Sequence, residues 1–429
     1  MKKITFIIIY LLPNIGFQGL FETTAIETTQ IFHQPNHGTI FAGVSIKKIT
    51  PDLNRYNPIY LAGFNRGRKA TGIHDDLWSR CCCIRINGTT IAIVSVDVIG
   101  IMYPEYQKII SKLPDYITLD NIIITSTHNH EGPDTIGLWG PDLLTGVNLE
   151  WYNEAMDHIA DSITEAYISM KPAGIKIGHT EAPGFSRDSR DPQCIDEQIE
   201  TFQLIDQNET PIATMIFYGS HPEILWNDNS PVTSDYPNYI YRYVENKTGG
   251  TAILVIGAIG GLITPNVRNH TFNAAKQFGE SIASLALTSL QNTTTIWNTE
   301  MRIASRELFI PLTNPIFRLT SILRIIYRPL YHVRRDILTA VSVIELGENG
   351  SLAQIVTAPG EDFPENWLEL KEKLHAKHRI LIGLGMDELG YIVPYEDFDW
   401  KKYEESMSAS KLLDPIIHQC LKEMITKMN

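Results

Sequence analysis

Along most of the chain, short apolar runs alternate with longer stretches whose apolar residues recur every three or four positions. The first pattern reads as buried strand and the second as amphipathic helix. Phe41-Ala42-Gly43-Val44-Ser45-Ile46 opens the folded part, and residues 85–97 hold two β-rich runs joined at Asn87-Gly88, a hairpin signal. Residues 103–113 have helical spacing, and 121–126 form an apolar strand ending in a polar loop. Residues 151–170 gather Tyr152, Ala155, Met156, Ile159, Ala160 and Ile163 on one helical face. The second half repeats the alternation, with strands at 212–218 and 252–256, a helix near 235–247 between them, and another at 274–290. This order predicts an α/β fold, a mixed β-sheet core covered by helices, in a single large domain over residues 37–429.

The N-terminus breaks the pattern. Met1-Lys2-Lys3 precedes an apolar run over 4–12, ended by Pro13, Gly16 and Gly19. A basic start followed by a short apolar run is the build of a secretory signal, so residues 1–19 read as a signal peptide or short apolar N-terminus and 20–36 as a polar spacer. The expected destination is outside the cytoplasm, secreted, periplasmic or membrane-associated. No other stretch reaches the roughly 18 apolar residues that a membrane span needs.

With 43% hydrophobic and 20% charged residues the chain has a globular composition. Its 49 acidic and 36 basic residues give a net charge of −13, which argues against nucleic acid as a partner. One segment stands against that background. Residues 314–335 carry Arg318, Arg324, Arg328, Arg334 and Arg335 with no acid, between apolar residues such as Ile316, Phe317, Leu319, Ile322 and Leu323. This reads either as a buried helix with solvated arginines or as an interfacial patch making peripheral contact with a membrane. The five cysteines (consecutive Cys81, Cys82 and Cys83, with distant Cys194 and Cys420) lack C-x-x-C spacing. They read as free, buried thiols and neither a disulfide framework nor a zinc site.

Candidate chemistry is concentrated at strand ends. Thr127-His128-Asn129-His130-Glu131-Gly132-Pro133-Asp134 puts two histidines at i and i+2 just beyond an apolar strand. His221 follows another such strand, and Ala358-Pro359-Gly360-Glu361 offers a carboxylate at a strand-to-loop turn. Imidazole is the commonest metal ligand, and catalytic zinc takes three or four N or O ligands. Residues 255–266 form a glycine-rich loop able to bring N–H groups near a substrate oxygen, without the Lys-Ser/Thr ending of a phosphate-binding loop.

In this order the motifs resemble the catalytic domain of the neutral/alkaline non-lysosomal ceramidases, from about residue 41 to about 398. Ala42-Gly43-Val44-Ser45-Ile46, Gly72-Ile73-His74-Asp75-Asp76-Leu77-Trp78-Ser79-Arg80 and Val94-Ser95-Val96-Asp97 are similar to the family's early segments. Thr127-His128-Asn129-His130-Glu131-Gly132-Pro133 resembles T-H-T-H-S-G-P, Ser186-Arg187 the asparagine-arginine pair, His221-Pro222 the second histidine motif, Pro359-Gly360-Glu361 the carboxylate motif and Gly390-Tyr391-Ile392 the tyrosine motif. The resemblance implies a Zn2+ held by His128, His221, Glu361 and Tyr391, with His130 beside it facing the substrate and moving a proton to the leaving amine. It implies that Arg187 lines the pocket and holds a carbonyl or anionic group. The family's G-D-V-S-P-N loop is here Gly261-Leu262-Ile263-Thr264-Pro265-Asn266, so Thr264 stands where the catalytic serine would be and Leu262 where an aspartate would. Thr264 is expected to orient water rather than attack, no base being beside it in sequence. The implied reaction is cleavage of the amide bond of a ceramide-like N-acyl lipid into fatty acid and sphingoid amine, in a chain without the family's C-terminal β domain. The alternatives are a zinc hydrolase acting on another N-acyl amide or ester, and a non-catalytic zinc-binding surface module.

Overall fold

The computed structural model describes residues 30–33, 37–142, 144–326, 328–332 and 335–428. The expected signal over 1–19 lies outside them, as do Tyr327 and Arg334 of the arginine-rich segment.

Among the described residues the larger unit is a nine-stranded mixed sheet. Its path runs Thr251–Ile256, Pro211–Tyr218, Gln198–Ile205, Lys171–Glu181, Gly38–Lys48, Trp78–Ile86, Thr89–Val96, Asn121–Ser126, with Asn298–Thr299 pairing the Gly38–Lys48 strand. Neighbours are antiparallel except at the two ends of this path, where Thr251–Ile256 runs parallel to Pro211–Tyr218 and Asn121–Ser126 parallel to Thr89–Val96. The hairpin turns where expected, with Asn87 at φ 48° and Gly88 at φ 86°, as a two-residue turn matched to strand twist requires.

Helices cover this sheet with the predicted faces. Leu149–Ile168 buries Trp151, Tyr152, Ala155, Met156, Ile159 and Ile163 against the Gly38–Lys48 and Trp78–Ile86 strands. It starts two residues earlier than the apolar spacing suggested because the Asn148 side chain accepts a hydrogen bond from Trp151 N. Tyr236–Thr248 starts behind Asp235, which accepts from Tyr236 N, and packs beside Phe272–Ser289. Cys81, Cys82 and Cys83 are free and fully buried, and burial pushes the Cys81 and Cys82 thiols up, as inert core thiols.

A second sheet, built mostly from residues beyond 300, is one that the apolar pattern did not separate from the first. It has five strands in the order Gln30–His33, Met301–Pro311, Asp336–Leu346, Ala353–Thr357, His378–Ile382. Met301–Pro311 pairs with Asp336–Leu346 along its whole length. Gln30–His33 pairs at the edge, inside the stretch read as a spacer. The C-terminal helix Leu413–Met428 covers this sheet with Leu413, Ile417, Leu421, Met424 and Ile425 in its own apolar cluster.

Two contacts explain how the halves make one site. The large sheet curls until its ends approach, and Ser95 Oγ donates to Leu254 O across 2.5 Å. The chain leaving His378–Ile382 then bridges both ends: Gly383 N donates to Ile256 O (2.8 Å), Thr125 Oγ1 to Gly383 O (2.7 Å) and Met386 N to Ile124 O (2.7 Å). Satisfied backbone groups at this depth hold the second sheet against the ends of the first. No helix of the described residues is long and apolar enough to cross a membrane.

Candidate metal centre

His128 lies two residues beyond the Asn121–Ser126 strand, with φ at 61°. A non-glycine residue in the left-handed region stores strain of about 1–3 kcal/mol, kept where its surroundings enforce it. Here Thr127 N donates to Val96 O and Asn129 N to Val98 O, so the loop runs on beside the neighbouring strand. Asn129 and Glu131 turn away from the site. Asn129 Nδ2 donates to Thr233 O (2.8 Å), while Glu131 pairs with Arg68 (3.0 Å) and takes a bond from Asn229, and burial lifts its carboxyl to about 8. On the facing segment Gly63 has φ 92°, and a Cβ there would come within 2.3 Å of the His130 ring, so glycine is needed for that approach.

The three histidines named from sequence meet. His128, His130 and His221 each offer a nitrogen within 4.8 Å of the others, all buried. His128 Nδ1 lies 2.7 Å from Ile99 O and His221 Nδ1 2.7 Å from Ile263 O. A carbonyl only accepts, so both Nδ1 atoms are protonated and each Nε2 is turned inward. Glu361 Oε2 lies between them, 3.0 Å from His221 Nε2 and 3.5 Å from His128 Nε2. Tyr391 is the parallel register partner of Glu361, and its hydroxyl bonds to that carboxylate. Burial, then the Glu361 charge, raises the Tyr391 phenol well above its ordinary value. Burial alone would lower His221, but the bond to Glu361 and the Glu223 charge outweigh it and lift it to about 9. Burial and the other two imidazoles hold His128 well below the ordinary histidine value.

Thr264 is also buried, on a two-stranded ribbon in register with Arg187. Arg187 itself is exposed, and it is not among the residues lining the cavity beside the histidines. A partly buried arginine nearby in sequence is Arg190, paired with Glu405 at 2.8 Å.

Sequence reasoning missed Glu223. Its Oε2 lies 3.0 Å from His130 Nδ1 and its carboxylate bonds the Thr264 hydroxyl. Burial opposes ionisation, but His130, His221 and the Thr264 bond carry its carboxyl down to about 2. A base does therefore stand beside Thr264, supplied by the His221-Pro222-Glu223 loop. A carboxylate two residues after a candidate ligand was the available signal. Tyr403 and Glu388 were missed as well, and both line the cavity. Glu388 Oε1 accepts from Gly390 N (2.8 Å), and burial keeps its carboxyl well above the usual range.

The glycine-rich loop has a different task from the one expected. Gly260 N donates to Asp362 O (2.8 Å), Ile263 N to Ile259 O, and Gly257 N to Tyr218 O, so these N–H groups are spent within the protein. A Cβ on Gly260 would stand 2.4 Å from the Phe363 ring and 2.7 Å from Phe363 N. The loop is glycine-rich because it must touch the Glu361 segment, while Ile263 O orients His221.

His128 and His130 line a cavity beside Glu361 and Tyr391. Its lining is mainly apolar, with Ile99, Ile136, Trp139, Phe317, Leu389 and Met407 among the residues, and Glu361, Tyr391 and Tyr403 at the polar end.

The family model for neutral/alkaline non-lysosomal ceramidase, N-terminal, matches residues 41–278, more than half of the chain. Neutral ceramidase from Pseudomonas aeruginosa is 22% identical over 223 residues, 47% of this chain and 33% of that protein. Neutral ceramidase A of Dictyostelium discoideum is 25% identical over 245 residues, 49% of this chain and 34% of that one. The chain thus matches about a third of the length of these relatives. The crystal structure of the Pseudomonas neutral ceramidase superposes with a TM-score of 0.74 at 16% identity, over 92% of this chain and 75% of that one. A structure described as ceramidase complexed with C2 gives 0.75 over 91% and 75%. That likeness extends the shared fold well past the matched N-terminal residues and across the second sheet. By the match over residues 41–278, the chain belongs to the neutral/alkaline non-lysosomal ceramidase family.

Proposed function

We propose that the protein is a zinc-dependent amidohydrolase that cleaves the amide bond of a ceramide-like N-acyl lipid into a fatty acid and a sphingoid amine. The observation that carries this reading is the convergence of His128, His221, Glu361 and Tyr391 at the polar end of an apolar cavity. The donor set suits zinc: two imidazole Nε2 atoms, each with its Nδ1–H fixed on a backbone carbonyl, a carboxylate and a phenol. His130 lies near enough to serve as a donor too; the reading keeps it beside the ion and facing the substrate, as the motif match implies. When bound, Zn2+ would polarise the scissile carbonyl and acidify a water.

The chain's own residues supply the remainder. Glu223 accepts the Thr264 hydroxyl hydrogen, so Thr264 Oγ1 keeps its lone pairs to receive a hydrogen bond from the attacking water. Glu223 also anchors His130 through Nδ1–H, which leaves His130 Nε2 to take a proton from the attacking water and then pass it to the departing amine. Arg187, exposed on the ribbon in register with Thr264, would in this reading hold a carbonyl or anionic group of the substrate from outside the cavity. The apolar walls would exclude water and hold an acyl chain, a mainly apolar lining with a few convergent polar groups being the build of a small-molecule site.

The test is metal content and turnover on one purified sample, wild type beside His128→Ala. A fluorescent N-acyl sphingosine and a short-chain N-acyl amide are the substrates. One zinc per chain, lost together with hydrolysis in the variant, supports the reading. Faster cleavage of the short amide or of an ester moves the substrate class and keeps the metal. Zinc without turnover on any acyl compound leaves a binding module, and a wild type without zinc refutes the centre.

A further inference from the structure

The helix Pro315–Ile322 has no buried residue, although it lies within an otherwise well-packed chain. Its outward residues are the apolar ones. Ile316 is 64% exposed, Leu319 55%, Ile322 50% and, just past its end, Leu323 60%. Spacings of three, four and seven put them on one stripe, so the helix is amphipathic with its greasy side to the outside. Among the described residues, eleven large hydrophobic side chains are exposed, and four of them sit here. Scattered exposed leucines need no explanation, but a contiguous stripe does.

This helix is also a wall of the substrate cavity. Phe317 and Ser321, on its other side, line the cavity together with Ile326 just beyond. Tyr403, which lines the same cavity, is itself 56% exposed, and Trp400 nearby in sequence is 42% exposed. The apolar stripe is therefore the outer side of a helix whose inner side walls the space that His128 and His130 also line.

The charge around it is of one sign. Residues 314–335 contain five arginines and no acid, in a chain of net charge −13. They are not equivalent. Arg328 is buried in a bidentate pair with Asp387, and Arg318 donates to Leu312 O (2.8 Å). Arg324, next to Leu323 in the chain, is exposed at the end of the stripe, and Arg335 further along is exposed as well. Cations flanking an exposed apolar face are complementary to a surface with a hydrocarbon interior and anionic headgroups.

We infer that Pro315–Ile322, with Leu323 and Arg324, is a membrane-docking element that seats the cavity mouth on an anionic phospholipid bilayer, so that an N-acyl lipid enters from the membrane. The inference rests on the lipid-amide reading above and adds to it where the substrate is taken from. The expected order of events is docking by the stripe, then passage of the acyl chain past Phe317 into the cavity. A substrate dissolved as a monomer needs no such step.

The test uses the full chain, co-sedimented with phosphatidylcholine vesicles and with vesicles containing phosphatidylglycerol, as wild type, Leu319→Glu/Leu323→Glu and Arg324→Gln. Hydrolysis is followed on vesicle-embedded ceramide and on a soluble short-chain N-acyl amide. Wild type should bind the anionic vesicles more tightly than the neutral ones. Arg324→Gln should weaken binding about fivefold at low salt, the worth of one interfacial arginine. The double glutamate variant should lose binding by more than about tenfold, since it puts two charges in place of buried apolar side chains. It should also lose hydrolysis of embedded ceramide in proportion, while hydrolysis of the soluble amide is unchanged. Equal vesicle binding by the double variant and wild type overturns the inference, and so does a dimer in size-exclusion chromatography that the variant abolishes while vesicles go unbound. Turnover of the soluble amide without any vesicle binding refutes the docking and spares the hydrolase. Stripe-dependent vesicle binding with no N-acyl cleavage does the reverse.

Discussion

His418 is the residue by which the helix Leu413–Met428 holds the carboxylate arm of the candidate metal centre. It is buried, with Nε2 3.2 Å from Asp362 Oδ2 and Nδ1 3.0 Å from Asp414 Oδ1. Asp362 follows Glu361 directly, on the short strand that pairs with Tyr391–Ile392. Burial by itself would lower the His418 pKa, but the two carboxylates raise it to about 10. His418→Gln keeps a hydrogen-bond donor and removes the charge, leaving Asp362 fully buried with Asn366 as its remaining side-chain partner. Breaking a buried pair from one side costs about 3–5 kcal/mol, and urea unfolding near neutral pH should show a loss of that size. The pH dependence carries the sign. Because the folded pKa lies above the unfolded value of about 6.5, the contribution is complete below that pH and is lost as pH rises toward 10. Wild-type stability should therefore fall between those limits by up to about 1.4 kcal/mol per pH unit from this group, and the variant should fall less steeply. Zinc affinity, read by competition with a chromophoric chelator, should drop about 10–100-fold, as for other outer-shell partners of ligands. A loss under about 1 kcal/mol, or parallel stability curves for the two proteins, would refute the reasoning.

Three further outcomes follow from the same geometry. Adding zinc to metal-stripped protein should raise the melting temperature, by about 2.7 kcal/mol of stabilisation at a hundredfold excess over Kd, and His128→Ala and His221→Ala should abolish the shift in scanning fluorimetry. Thr264→Ser should keep most of the hydrolytic rate and Thr264→Ala should lose about 10²-fold or more in kcat; equal rates for all three would remove Thr264 from the chemistry. Gly260→Ala should destabilise by about 1–3 kcal/mol, because its methyl would press on Phe363, and because that contact backs Glu361 it should weaken zinc binding too, as isothermal titration would show.

The elements that were legible in the sequence are those whose periodicity serves one buried face. The 121–126 strand, the Asn87-Gly88 hairpin and the helix now seen at Leu149–Ile168 all fall in this class. The second sheet was not separated, because its strands are set by long-range pairing such as Met301–Pro311 with Asp336–Leu346, which leaves no local signature of which sheet a strand joins. The histidines were legible because each follows an apolar run, whereas Tyr391 and Arg187 rested on resemblance. Tyr391 meets Glu361 through one parallel bridge between distant loops, and Arg187 stands exposed, joined to Thr264 by backbone pairing. The arginine-rich segment had two readings, and the lack of buried residues in its helix Pro315–Ile322 disposes of the buried-helix one.

The departure at residue 262 finds its physical answer in the same centre. A hydroxyl asked to act on an amide needs a partner for its proton, and the loop position that would carry an aspartate in the family holds Leu262. That partly buried side chain packs against Phe363 and Tyr391, where a carboxylate would lie against aromatic rings. The proton's partner comes instead from Glu223, on the loop that also presents His221. One carboxylate then serves two groups, accepting from Thr264 and facing His130. The three are linked, so removing Glu223 should disturb both. A double-mutant cycle expresses this as strong non-additivity: Glu223→Gln and Thr264→Ala should together cost little more than either alone, whereas independent roles would make their losses multiply.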